Sequence, residues 1–354
     1  MPQPNNEPIL GFAPGSQERA DLQAEMDRQM GEVIEIPCII NGEEVFTGTT
    51  TTQVIPHNHG HVLANVHLAG RAEMEAACEA AVNAQQAWID LGLEGRCAIF
   101  ERCADLLAGD WRMRVNAATM LNQSKTAFQA EIDSACELID FWRFNCHYAR
   151  GFHDDFQPLV SPDGVQNSTE IRPLEGFVLS ITPFNFTSIA ANLPSAPAIV
   201  GCTGLWKPSR NSYHSNYVLM QLMMEAGLPP GVINFLPGSG AEITEVALAN
   251  PDFAGLHFTG STAVFQGLWQ EIGLALPNLR SYPRIVGETG GKDFVVAHPD
   301  CDRQGLLVAL LRGAFEYQGQ KCSAASRAYV PSSVWDAIRD DLVSEISKIK
   351  MGDA

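Results

Sequence analysis

Four short apolar runs, each followed by a segment of helix length, restrict the fold of this chain more than any other feature. The runs lie at residues 177–181, 204–207, 232–235 and 255–258. A helix is predicted from about Thr187 after the first run, and another through Met224 after the second. Strands that alternate with helices in this way form βαβ units and pair in parallel. The sequence therefore predicts an α/β protein with a mostly parallel sheet.

The preceding part of the chain is expected to form a polar arm, two short strands and a helical region. A helix is predicted at about 17–30, and strands at 35–40 and 53–56, with a turn at Asn41-Gly42. Residues 71 to about 148 are alanine-rich with helix-spaced apolar positions, which predicts about three amphipathic helices. Proline and glycine punctuate residues 151–176, which predicts an extended hairpin excursion and a candidate oligomerisation element.

The acidic composition narrows the classes of partner. The chain has 41 acidic and 23 basic residues and a formal net charge of −18, whereas nucleic-acid binding needs clustered lysine and arginine. The sequence has no apolar run long enough to cross a membrane. We therefore expect a small-molecule substrate and neither a nucleic acid nor a membrane as partner.

Nine cysteines without regular spacing predict reduced thiols, and hence a cytoplasmic location or, in a eukaryote, the mitochondrial matrix. The polar N-terminus shows no signal or transit character. No metal is expected, because no Cys-x-x-Cys pair occurs and nothing nearby completes a site around His57, His59 and His61, which favours a surface turn there. Ser124-Lys125-Thr126 resembles the end of a P-loop but lacks its glycines.

Three residues supply the chemical groups that oxidise an aldehyde through a thioester. Cys322 is a candidate nucleophile, with an inert buried cysteine as the alternative. Glu288, in Gly287-Glu-Thr-Gly-Gly-Lys292, is a candidate general base, with a solvated loop acid as the alternative. Asn185 follows a predicted strand and can donate to an oxyanion, which is typically worth ~3 kcal/mol, or cap the next helix.

A second group of residues suits a dinucleotide. Phe258-Thr-Gly-Ser-Thr-Ala-Val-Phe265 follows a strand and opens a helix, where glycine and hydroxyl residues can bind a pyrophosphate. The segment lacks the G-x-G-x-x-G pattern, so the signal is moderate. Lys207, at the end of another strand, could bond the adenosine ribose or be a surface lysine.

Several segments together resemble the aldehyde dehydrogenase superfamily and, within it, the 1-pyrroline-5-carboxylate dehydrogenase branch. They include Asn6-Glu-Pro-Ile-Leu10, Ile36-Pro-Cys38, Asn58-His-Gly-His61, Ala130-Glu-Ile-Asp133, Glu137-Leu-Ile-Asp-Phe141, Arg143-Phe-Asn145, Pro183-Phe-Asn-Phe-Thr187, Leu205-Trp-Lys-Pro-Ser209 and Ala314-Phe-Glu-Tyr-Gln-Gly-Gln-Lys-Cys-Ser323. The last segment is the most specific for the branch.

The resemblance implies an aldehyde dehydrogenase-like α/β fold. A Rossmann-type parallel-sheet NAD domain, with the arm and the helical region, would occupy residues 1–287, and the start of a second α/β catalytic domain residues 288–354. Similar proteins continue beyond Ala354, so an incomplete chain is expected, with an apolar face exposed between residues 306 and 330. A homodimer or a higher homo-oligomer is expected at full length.

The resemblance also implies an activity, the NAD-dependent oxidation of L-glutamate 5-semialdehyde to L-glutamate in proline catabolism. Cys322 would attack the aldehyde, Asn185 and the backbone N–H of Cys322 would hold the oxyanion, and Glu288 would activate water. Cofactor-contacting positions would be Thr182, Pro183, Phe184, Lys207, Ser209, Gly260, Ser261, Thr262, Ala263 and Val264. Substrate-binding positions would be Phe186, Lys321 and Ser323.

Arg210 departs from the pattern of this branch, since many relatives carry an acid there that binds the adenosine 2′-hydroxyl. NAD is expected as the cofactor, and the arginine also leaves room for NADP. Three alternatives remain, namely another aldehyde dehydrogenase, a CoA-acylating enzyme, which Glu288 argues against, and an inactive NAD-binding protein.

Overall fold

The computed structural model describes residues 3–158 and 160–353. The arm leads into helix α1, which has the predicted bounds and is capped where the Ser16 hydroxyl accepts a hydrogen bond from the Arg19 N–H. The first elements are α1 (Gln17–Met30) and strands β1 (Ile34–Ile36), β2 (Cys38–Ile40), β3 (Glu43–Val45), β4 (Thr50–Ile55) and β5 (Asn58–His67). Of the histidines expected in a surface turn, His57 lies in the turn between β4 and β5, whereas His59 and His61 lie in β5, which pairs with β4 and β1.

The helical region contains more elements than its periodicity predicted. They are α2 (Arg71–Asp90), α3 (Gly92–Ala108), α4 (Arg112–Gln123), α5 (Ala127–Ala130), a π-helical turn (Glu131–Cys136) and α6 (Glu137–Asp155). Ser124 ends α4 in a left-handed conformation, with φ 56°. The π-turn gives no local sequence signal, because its extra residue depends on the contacts of the side chains that it presents.

The alternation of strands and helices is confirmed. The elements are β6 (Phe177–Ile181), α7 (Thr187–Ile199), β7 (Thr203–Lys207), α8 (Tyr213–Glu225), β8 (Ile233–Phe235), α9 (Gly240–Ala249), β9 (Phe253–Gly260), α10 (Thr262–Ala275) and β10 (Arg284–Thr289). One seven-stranded sheet has the order β10-β9-β6-β7-β8-β2-β3. Its first five strands are parallel, whereas β2 and β3 are antiparallel to their neighbours. The carboxyl ends of the parallel strands thus share one edge, where such sheets bind ligands.

Apolar side chains cover both faces of this sheet, as the continuous apolar runs of its strands require. On one face, Trp142 and Trp206 belong to a cluster built mainly from α3, α4, α6 and α8. On the other face, Phe177 and Phe253 belong to a cluster with α2, α9 and α10. The sheet is therefore a rigid support for the loops at its edge.

The excursion predicted at residues 151–176 differs from the expectation in two ways. Its first residues extend α6 to Asp155, and the described residues between 156 and 176 contain no strand. The segment nevertheless doubles back, because the Gln157 side chain pairs with the backbone of Thr169 through two hydrogen bonds of 3.1 Å. Its three prolines lack the N–H groups of a strand ladder, which explains the missing strands.

A smaller sheet begins after β10. Strand β11 (Asp293–Val296) pairs in parallel with β12 (Ala325–Tyr329), and the helices α11 (Arg303–Phe315) and α12 (Ser332–Ser347) pack against each other through a separate apolar cluster. The domain boundary proposed at residues 287 and 288 falls inside β10, which belongs to the larger sheet. As expected between residues 306 and 330, apolar side chains are exposed, with Val308 47%, Phe315 47% and Tyr329 51% exposed. Phe294 and Val296 of β11 are exposed as well.

The described part of the chain has no helix suited to span a membrane. None of the helices at positions 3–158 and 160–353 is long and apolar enough to cross a membrane.

Candidate active site

Cys322 reaches the edge of the large sheet through a strained turn. Between α11 and β12 the chain makes a short 3-10 segment in which Tyr317 (φ 50°) and Gln318 (φ 51°) are left-handed, followed by Gly319 (φ 72°). A left-handed conformation costs about 1–2 kcal/mol for each residue other than glycine. The turn persists because Tyr317 is buried and its hydroxyl donates to the Gln123 carbonyl at 2.9 Å.

Glu288 lies beside the Cys322 thiol. Burial raises the pKa of Cys322, and the charge and the hydrogen bond of Glu288 raise it further. The thiol is therefore held protonated next to a carboxylate that can accept its proton. Of the other cysteines, Cys38 and Cys78 are typical, because burial raises their pKa to about 12 and keeps them inert.

The glycine-rich segment around Glu288 is a strand at this point and not the loop that its sequence suggested. Glu288 pairs with Thr259 of β9, and β10 ends one residue later. Gly287 is required because a Cβ there would lie 2.1 Å from the ring of Phe265. The carboxylate is thus fixed by a sheet, which is more rigid than a loop.

Asn185 follows β6 and lies in the same cleft as Cys322. Its side-chain amide donates to the Gln320 carbonyl at 2.8 Å. An amide nitrogen carries two N–H groups, so the second is available to a ligand. The hydrogen bond ties the amide to the turn that carries Cys322.

Two adjoining clefts bring together most of the predicted cofactor residues. The first, of about 500 Å³, adjoins Cys322, and the second, of about 440 Å³, adjoins Lys207; Ile181 and Val264 line both. The predicted residues in the first cleft are Thr182, Pro183, Phe184, Asn185, Ser209, Gly260, Ser261, Val264, Lys321 and Cys322. Thr262 and Ala263 lie in the first turn of α10 and line neither cleft.

The clefts have the chemistry that a dinucleotide needs. The amino end of α10 is capped by Ser261, which lines the first cleft with Gly260, and the positive end of a helix dipole attracts a phosphate. Burial lowers the pKa of Lys207, and no described residue forms an ion pair with it. A half-buried cation of this kind suits a hydroxyl or phosphate oxygen of a ligand.

A third cleft, of about 420 Å³, lies on another side of Cys322. It is lined by Phe186, Glu288 and Ser323, which were predicted, and by Glu137, which the sequence analysis quoted but gave no role. Burial raises the pKa of Glu137, whose carboxylate accepts a hydrogen bond from Ser188. Residue type alone cannot single out this acid, because its position depends on the π-turn before α6.

Lys321 is held by acids of the protein. Its ammonium lies 3.1 Å from Asp133 and 3.5 Å from Glu316, and 5.4 Å from the centre of the Phe186 ring. It lines the first cleft and not the third. Its predicted role in substrate binding stays a prediction.

His57 and His61 make ordinary contacts. His57 Nδ1 lies 2.8 Å from the Ser124 hydroxyl, and His61 Nε2 lies 3.0 Å from the Met30 carbonyl. Over the described ranges, no group of three or more histidine, cysteine or acidic side chains could hold a metal ion.

Comparison with known proteins matches residues 46–354 to the aldehyde dehydrogenase family. Among curated relatives, the delta-1-pyrroline-5-carboxylate dehydrogenase of Agaricus bisporus is 48% identical over 99% of this chain and 64% of that protein. The mitochondrial delta-1-pyrroline-5-carboxylate dehydrogenase of Homo sapiens is 43% identical over 98% of this chain and 62% of that protein. This chain therefore spans less than two thirds of the length of either relative.

A solved structure gives the same result. The crystal structure of the delta-pyrroline-5-carboxylate dehydrogenase from Mycobacterium tuberculosis bound with NAD has a TM-score of 0.97 and 50% identity to this chain. The match covers 100% of this chain and 66% of that one. The predicted fold class is thereby confirmed.

Proposed function

Because this chain belongs to the aldehyde dehydrogenase family, we propose that it carries the catalytic residues for oxidation of L-glutamate γ-semialdehyde to L-glutamate with NAD. The observation that carries the proposal is the convergence of Cys322, Glu288 and Asn185 where the first and third clefts meet. The names of the relatives supply the substrate, and one of the solved structures is bound with NAD. Thr182, Lys207, Ser209 and the amino end of α10 would hold NAD, which accepts a hydride when bound.

The first chemical step belongs to Cys322. Glu288 accepts the thiol proton, and the sulfur then attacks the aldehyde carbon while the carbonyl electron pair moves to the oxygen. The second amide N–H of Asn185 and the backbone N–H of Cys322 would stabilise this oxyanion, and such a donor is typically worth ~3 kcal/mol. Loss of the aldehyde hydrogen as hydride re-forms the carbonyl group and leaves a thioester on Cys322.

The second step belongs to Glu288. Glu288 first releases the thiol proton to solvent. Its carboxylate then takes a proton from water, the water oxygen attacks the thioester carbon, and the carbon–sulfur bond breaks. The acid product leaves, and the thiolate regains its proton. The raised pKa of Cys322 favours this last protonation.

The third cleft supports an amino-acid aldehyde as the substrate. The Glu137 carboxylate can pair with an α-ammonium group, and Ser323, beside the nucleophile, can donate to a substrate carboxylate. Phe186 would cover the aliphatic chain between these groups. An aldehyde without charged groups could use neither polar side chain.

An assay of the full chain tests this function. NADH formation is measured with L-glutamate γ-semialdehyde and, as the matched control, with 5-oxopentanoate, which lacks the α-amino group. We expect turnover with the first and a kcat/KM at least ~10-fold lower with the second, because one desolvated charge pair is lost. Equal use of both aldehydes would favour another aldehyde dehydrogenase, and absence of NADH an inactive NAD-binding protein.

Arg210 is expected to broaden the choice of cofactor. It is exposed, and its charge contributes to the lowered pKa of Lys207 in the second cleft. A guanidinium can pair with the 2′-phosphate of NADP, whereas a carboxylate repels it. Arg210→Glu should therefore lower the ratio of kcat/KM for NADP to that for NAD by about 10-fold, with NAD preferred in both proteins. An unchanged ratio in initial-rate measurements would show that Arg210 does not meet the 2′ position.

We propose that the protein is a homo-oligomer, with residues 151–176 as a contact element. Val160 is 75% exposed and Val165 53% exposed in this segment, which supports a partner surface. Sedimentation equilibrium of the full chain measures the oligomeric state, and a monomer at micromolar concentration contradicts the proposed homo-oligomer.

We also propose a reducing compartment, the cytoplasm or the mitochondrial matrix, because all nine cysteines, which lie in the described ranges, are free. Cell fractionation tests the location.

A further inference from the structure

A buried lysine lies behind the catalytic residues, in the segment that resembled the end of a P-loop. Lys125 is 0% exposed, and its ammonium donates to the Asp133 carboxylate at 2.6 Å. Ser124, left-handed at the end of α4, turns the chain inward, and Thr126 starts α5 as its N-cap. The backbone thus changes direction on both sides of Lys125, and these changes place its ammonium in the interior.

Two aromatic rings enclose this ammonium. It lies 4.4 Å from the centre of the Phe186 ring and 4.4 Å from the centre of the Tyr317 ring. A cation over an aromatic face is attracted by the ring, and more strongly when water is excluded. Phe186 is the neighbour of Asn185, and Tyr317 begins the left-handed turn that leads to Cys322. One cation thus contacts the segments that carry Asn185 and Cys322.

Asp133 extends the contact to the residue before the nucleophile. Its carboxylate binds Lys125 on one side and Lys321, the neighbour of Cys322, at 3.1 Å on the other. Asp133 lies in the π-turn, whose extra residue sets the direction of its side chain. The two lysines share one buried carboxylate, so a shift of either one moves the other.

Burial of this charge is unfavourable for folding. It lowers the pKa of Lys125 to about 8, although the charge of Asp133 acts in the opposite direction. The folded chain therefore favours the charged lysine less than water does, and an apolar residue would pack there more easily. A stabilising role alone does not explain a lysine at this position.

We propose that Lys125 and Asp133 are positioning residues that hold the Asn185 amide and the Cys322 thiol in register. Lys125 fixes the two segments through Phe186 and Tyr317, and Asp133 fixes Lys321. The expected effect on turnover rests on the proposed function, whereas the expected effect on the position and reactivity of Cys322 does not. Neither residue lines the first or third cleft, so neither contacts the substrate.

Two variants of the full chain test the proposal. Lys125→Met keeps most of the length of the side chain and removes its charge. The double variant Lys125→Met with Asp133→Asn leaves no unpaired charge buried, because Lys321 keeps Glu316 at 3.5 Å. The double variant keeps the test decisive if the single one fails to fold, because replacing a whole buried pair is often neutral for stability. Arg96→Met is the matched control, since Arg96 is a buried cation that donates to the Ile199 carbonyl, away from Cys322.

The expected kinetic result is a fall in kcat with little change in binding. In the double variant we expect kcat to fall about 100-fold and KM to change less than about threefold, as for a misplaced reacting group. Alkylation of Cys322 by iodoacetamide should become at least about threefold faster, because a released thiol is more exposed and leaves Glu288. Arg96→Met should melt at a lower temperature but keep both rates.

Two results would overturn the proposal. The first is a double variant whose kcat and alkylation rate equal those of the unchanged protein. This result would show that the ion pair only fills space. The second is an equal loss in Arg96→Met, which would assign the effect to general destabilisation. The alkylation rate tests the roles of Lys125 and Asp133 even if the full chain oxidises no aldehyde. Failure of this inference can therefore be distinguished from failure of the proposed function.

Discussion

Cys322→Ala is expected to abolish NADH formation by the full chain, with a loss of at least ~10⁴-fold, while NAD binding persists. Among residues 3–158 and 160–353, alanine removes the only sulfur that lies beside both Glu288 and the cleft of Asn185. No covalent thioester can then form, and water alone cannot release the aldehyde hydrogen as a hydride. NAD affinity should remain, because the cofactor clefts depend on β6, β7 and α10.

The control for this variant is Cys301→Ala. Cys301 is the other cysteine that is not fully buried, and it packs near the cluster between α11 and α12. Its replacement should leave turnover unchanged within about twofold, as for a surface substitution. Retained turnover in Cys322→Ala would transfer the nucleophilic role to another group. Initial rates and fluorescence titration of NAD measure the two quantities.

Glu288→Gln is expected to separate the two halves of the reaction. One equivalent of NADH per site should form in a burst, after which turnover stalls at the thioester by about 10²- to 10⁴-fold. Glutamine keeps the shape of the side chain but cannot take a proton from water. It cannot take the thiol proton either, but loss of the Glu288 charge lowers the pKa of Cys322, so the thiol can lose its proton to solvent and the first step still occurs. Rapid-mixing absorbance and mass spectrometry of the acylated protein follow the burst and the trapped thioester.

The same variant should change the reactivity of Cys322. Glu288 contributes to the raised pKa of the thiol through its charge and its hydrogen bond. Removing the charge lowers that pKa, so more thiolate is present at a given pH and alkylation is faster. The control for loss of one negative charge is Asp293→Asn, because Asp293 is an exposed acid at the start of β11. Unchanged steady-state turnover in Glu288→Gln would mean that another group activates the water.

Much of the architecture could be predicted from local sequence, and particular elements show why. The bounds of α1 and β6 agree with prediction to the residue, because their apolar spacing and caps act within a few positions of the chain. His59 and His61, which lie in β5 and not in the expected turn, show the limit of this reasoning. Their strand depends on pairing with β1 and β4, and no local pattern reveals such a partner.

The sequence by itself determined which chemical groups are present, namely a thiol, a carboxylate and an amide in the order of a known family. Only the tertiary structure decided where they act. Glu288 belongs to β10 because its backbone pairs with β9, and Lys321 meets Asp133 across 188 positions of sequence. Residue types and periodicity are local properties of a chain. Burial, a shared carboxylate and the approach of a cation to two rings depend on distances that only folding sets.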